Sequence, residues 1–158
     1  MKYFKLEEFV KSDTAKKHNI DNTPSVIQIN NINVLVDNIL DPLREDWAKY
    51  CEDQSLGKGS IRVTSGIRSK RLNELVGGSP SSSHYIGYAA DIVPTNGKMK
   101  EFKEFVINWL KDKEFDQMIS ESEDEKGVPS WIHIGWKNNS NQQRRRFMGM
   151  KNNKYYYI

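Results

Sequence analysis

A chain of 158 residues with four Trp, seven Tyr and six Phe can bury roughly 70% of its unfolded surface. That predicts a single domain over residues 1–158 and excludes disorder as the main state. The balance of 24 basic against 21 acidic residues is too even to imply a nucleic-acid partner, and the lone Cys51 leaves histidine and carboxylate as the only side chains able to hold a metal.

Residues 3–18 place Phe4, Leu6, Phe9 and Val10 ahead of a polar stretch that ends at the surface residue His18. The pattern predicts a short docking helix and then a loop, an N-terminal appendage over about residues 1–20. Glu7 and Glu8 stand where a secretory signal needs an apolar run, so the expectation is synthesis in the cytoplasm without a signal peptide. No stretch approaches a membrane span, and no membrane partner is expected. Asp21 to Ser25 is rich in N-cap formers, and Val26, Ile29, Ile32, Val36, Ile39, Leu40, Leu43 and Trp47 then recur at helical spacing. This is the main helix, about residues 25–50, with Pro42 predicted to kink or break it.

Leu56 to Ser60 reads as a turn, 61–65 as a strand ending at Gly66, and 69–76 as a short helix. Gly77 to Ser83 is a constrained loop leading into His84. Further along, 89–93 is a buried strand, 98–110 an amphipathic helix, 115–120 a strand, 121–126 a solvated acidic loop and 131–136 a strand. Arg144, Arg145 and Arg146 read as a solvated basic turn within a tail of about residues 140–158, whose closing Tyr155-Tyr156-Tyr157-Ile158 could be an edge strand or frayed. Helices and strands mix without steady alternation, so the fold class is α+β, a small antiparallel sheet packed with helices.

The chemistry concentrates around two of the three histidines. His84 is followed by Asp91, and His133 lies inside Trp131-Ile-His-Ile-Gly-Trp136. Imidazole and carboxylate are good zinc ligands, and catalytic zinc takes three protein ligands with a fourth position left for water. Taken singly, a histidine between isoleucines is more often a hydrogen-bonded core residue, and an aspartate after two alanines is often a cap.

Together they form a pattern. The string Ser82-x-His84-x-x-Gly87-x-Ala89-x-Asp91, preceded by Ser65-Gly66-Ile67-Arg68-Ser69 and followed by Trp131-Ile132-His133, resembles the zinc D-Ala-D-Ala carboxypeptidases, vancomycin-resistance dipeptidases and phage L-alanyl-D-glutamate endopeptidases of the hedgehog/DD-peptidase fold group. The likeness covers most of residues 4–136 and is nearest to small phage or prophage members. It implies Zn²⁺ on His84, Asp91 and His133 and hydrolysis of peptidoglycan stem peptides at bonds involving D-amino acids, in endolysin-like or carboxypeptidase-like mode. The expectation is a monomer that reaches the wall by holin-type release or from a virion. Arg68 matches the family's arginine that binds substrate oxygen, Ser82 is a candidate hydrogen-bonder and Trp131 a candidate wall for substrate.

One position departs from the family. Many relatives carry Glu or Asp three residues before the last histidine ligand, where this chain has Ser130. If 115–121 and 131–136 form a hairpin, Glu121 falls on the face of His133 and within diagonal reach, making it the candidate base. Glu123, Asp124 and Glu125 are the alternatives, should the loop fold back. Asp116 and Gln117 could orient a ligand imidazole or equally cap a strand end. The missing acid also leaves room for a non-catalytic, metal-stabilised wall-binding or virion structural module.

Overall fold

The computed structural model describes residues 1–158. Two short helices open the chain, α1 (Leu6–Val10) and α2 (Asp13–Lys17). The second occupies part of the expected loop, because the Ser12 hydroxyl accepts a hydrogen bond from the Ala15 N–H at 3.1 Å and caps it. The segment read as an appendage is built into the core. Phe4 and Phe9 are buried, and a Cβ on Gly66 would lie 2.6 Å from the Phe9 Cα. The Ile67 N–H donates to the Phe9 carbonyl at 2.7 Å, so the start of the chain fixes the segment that carries Gly66 and Arg68.

The main helix is continuous in direction but not in pitch. It runs as α3 (Val26–Leu35), a π turn over Val36–Leu40, and α4 (Asp41–Asp53). Ser25 and Gln28 start it reciprocally: the Ser25 hydroxyl accepts from the Gln28 N–H, and the Gln28 side chain accepts from the Ser25 N–H. Pro42 has no N–H for the carbonyl of Asn38, and its ring crowds that group. The turn before it widens, the Asp41 N–H reaches back to the Val36 carbonyl, and the helix resumes instead of breaking.

The remaining elements are β1 (Ile61–Ser65), α5 (Lys70–Leu75), α6 (Ser83–Ile86), β2 (Ala89–Pro94), α7 (Met99–Leu110), β3 (Gln117–Glu121), β4 (Trp131–Gly135), β5 (Arg146–Lys151) and β6 (Lys154–Tyr157). The six strands order as β1-β2-β4-β3-β5-β6. Every neighbouring pair is antiparallel except β3 and β5, so the class is α+β as expected. Within the region taken as a tail, the closing tyrosines form the edge strand β6, one of the two readings open for them, and β5 is a further strand that the sequence reading did not place. The Arg145 and Arg146 N–H groups donate to the Phe115 and Asp116 carbonyls, which brings β5 in alongside β3.

Strand alternation divides the sheet into two faces. Ala90, Ile92, Met118, Ile132 and Ile134 enter the hydrophobic core with Ile32, Trp47, Phe102 and Leu110 from the helices. The residues between them, Asp91, Ile119, Glu121, Trp131 and His133, share the opposite face. No helix is long and apolar enough to cross a membrane.

The acidic stretch after β3 is not simply solvated. Glu123 is buried, accepts from Lys103 Nζ at 2.6 Å and from the Tyr156 hydroxyl. Burial opposes its charge, yet the Lys103 ammonium and the neighbouring hydroxyls hold the carboxyl below the ordinary glutamate range. A carboxyl depressed in the folded state stabilises above its unfolded pKa of about 4.3, and that contribution is lost as pH falls through the folded value. The gap in urea midpoint between wild type and Lys103→Met should therefore be widest at neutral pH and shrink below about pH 4.3. A gap independent of pH would mean that Lys103 acts by packing alone.

Candidate active site

The site is assembled from one helical turn and two paired strands. Ser82 caps α6, its hydroxyl accepting from the His84 N–H at 3.3 Å, and Gly87 ends the turn at φ +84°. A side chain at Gly87 would be strained by that φ, and its Cβ would meet the Gln28 carbonyl oxygen at 2.7 Å. This short helix is absent from the sequence-based expectation, which ended a loop at His84. Asp91 and His133 face each other directly across β2 and β4.

The three side chains converge. His84 Nε2 lies 3.2 Å from Asp91 Oδ1 and 3.1 Å from His133 Nδ1, and His133 Nδ1 is 3.0 Å from Asp91 Oδ1. All three residues are buried. His84 Nδ1 donates to the Gly66 carbonyl at 2.7 Å, which fixes the tautomer and leaves the Nε2 lone pair facing the other two groups. Burial pushes the His84 imidazole toward its neutral form. Burial also opposes the charge of Asp91, but the two imidazoles beside it hold its carboxyl far below the usual range.

The donor set suits zinc. Bonds of about 2.0–2.1 Å in a tetrahedral site set neighbouring ligand atoms about 3.3 Å apart, close to the separations seen here. Arg68 enters beside the cluster, with Nη2 at 3.7 Å from Asp91 Oδ2 and 3.4 Å from the Ser65 hydroxyl. Arg68, Ser82, Trp131 and Glu121 line one cavity of about 560 Å³ with the three cluster residues.

A family model described as Peptidase M15 matches residues 2–134. The chain belongs to the M15 peptidase family. No curated protein matches the chain. M15 enzymes are zinc metallopeptidases, and His84, Asp91 and His133 are close enough together to bind the ion.

Within this M15 chain the candidate acids separate by position. Glu121 pairs with Trp131, and Ile119 pairs with His133, so Glu121 is the diagonal neighbour of His133 on the site face. Its carboxyl is buried, and burial raises its pKa against the opposing pull of His133. Ser130 is exposed, and its hydroxyl donates to the Ser122 carbonyl. Asp124 accepts from the Lys126 and Val128 N–H groups, Glu125 is exposed, and Glu123 is held by Lys103. None of these three lines the cavity.

Two sequence expectations are corrected here. Asp116 touches no imidazole; it is fully buried and clamps Arg144, with Nε to Oδ1 at 2.6 Å and Nη2 to Oδ2 at 2.7 Å. Arg144 is accordingly no part of a solvated basic turn, although Arg145 and Arg146 are exposed. Its Nη2 also donates to Gln117 Oε1 at 3.1 Å, and the Gln117 amide lies 3.5 Å from His133 Nε2. Arg144, Met150 and Tyr155 line the cavity as well. In the sequence, Tyr155 belongs to an unbroken Tyr155-Tyr156-Tyr157 run that does not show which ring faces the site, and Arg144 is marked only as part of a basic cluster.

Proposed function

We propose that this M15 peptidase hydrolyses peptide bonds involving D-amino acids in peptidoglycan stem peptides, as one domain over residues 1–158. The observation that carries the reading is a three-ligand cluster opening into the same cavity as the buried Glu121 carboxylate and the Arg68 guanidinium. Zinc bound there supplies a Lewis acid for the scissile carbonyl and acidifies water toward neutral pH. Glu121 takes the proton of the attacking water and delivers it to the departing amine. Arg68, anchored between Ser65 and Asp91, binds the oxygen on which negative charge develops or a substrate carboxylate. Trp131 walls the cavity, and Ser82 offers its hydroxyl to substrate at the rim.

The test is digestion of purified peptidoglycan, with released amines quantified and muropeptides weighed by mass spectrometry. New amines should appear, vanish on chelation and return with added zinc, and the fragment masses distinguish loss of a terminal residue from internal cleavage. Ser130 in place of the usual acid favours a second reading, a non-catalytic wall-binding or virion module. Peptidoglycan binding with no amine released, with or without zinc, would establish that reading instead.

A further inference from the structure

We propose that Tyr155, on β6, is a positioning residue for Glu121, its phenol fixing the carboxylate against the cavity; this rests on Glu121 being the base. The register makes the case. Ser120 pairs with Gly149 on β5, which sets Glu121 in step with Met150, and Met150 pairs with Tyr155. Glu121, Met150 and Tyr155 therefore form a row across three strands on the face that carries Asp91 and His133. Tyr156 confirms the phase, since its hydroxyl turns to Glu123. Tyr155 lines the same cavity as Glu121, although it lies beyond the residues matched by the family model.

The chemistry of the pair is one-directional. Tyr155 is more than half exposed, and the partial burial of its ring and then the charge of Glu121 push the phenol above its ordinary value. It stays protonated through the neutral range and can only donate to a carboxylate. Glu121 is the last residue of β3, where a long side chain has rotamers to choose from, and a donor held on a neighbouring strand selects one of them. Misplacing a reacting group by about 1 Å costs on the order of 100-fold in rate.

Tyr155→Phe, Glu121→Gln and the double variant, each as zinc-loaded full chain, are compared for kcat and KM on purified peptidoglycan, with zinc content and Tm measured alongside. Tyr155→Phe should lose about 10- to 100-fold in kcat with KM, zinc content and Tm unchanged. The double variant should be no slower than Glu121→Gln. Wild-type kcat in Tyr155→Phe beside an inactive Glu121→Gln overturns the role of Tyr155 alone. So does an equal loss on adding Tyr155→Phe to Glu121→Gln, which would make the phenol act on substrate. Wild-type turnover in Glu121→Gln overturns the base assignment itself.

Discussion

Glu121→Gln should lower kcat by about 10²- to 10⁴-fold while zinc stays bound. The amide keeps the shape of the carboxylate but cannot take up a proton. The change is gentle on the fold: burial already disfavours the charge at this position, and the backbone bond from the Ser130 N–H to the Glu121 carbonyl does not involve the side chain. Metal content by atomic absorption separates lost chemistry from lost ligation, because Glu121 stands outside the three-residue cluster. Turnover close to wild type with zinc bound would take Glu121 out of the reaction.

Arg144→Leu should cost about 3–5 kcal/mol of stability, read from urea or guanidinium unfolding. The Asp116 carboxylate is fully buried, and Arg144 supplies two charge-assisted bonds to it. With the guanidinium gone, its remaining contact is the Arg144 N–H at 3.4 Å, too little to compensate a carboxylate removed from water. Asp116→Asn combined with Arg144→Leu should recover much of the loss, since no charge is then left unpaired. A single-variant cost below about 1 kcal/mol would place the pair with exposed ion pairs of little consequence.

The metal ligands were legible because their signal is local. Asp91 and His133 each sit in a short strand whose alternate residues are apolar, so pattern alone puts them on the face away from the core. The hairpin of β3 and β4 then carried Glu121 to that face. Arg144 and Tyr155 were not legible, because they reach the site through the parallel pairing of β5 with β3, which joins segments that no nearby turn connects. Asp116 misled for the same reason: its neighbour Gln117 does approach His133, but its own partner lies 28 residues ahead. The π turn before Pro42 was half visible. The proline announced a disturbance, and only the apolar residues Ile39, Leu40 and Leu43, buried on both sides of it, decided that the helix continues.

The face-to-face pairing of Asp91 with His133 makes this enzyme unequally tolerant of change. Slipping β2 or β4 by one residue would turn isoleucines to water and drive a carboxylate or an imidazole among apolar side chains. Insertions and deletions of a single residue should therefore be rejected inside these two strands, where many point substitutions are survivable, and length variation is left to the connections outside them.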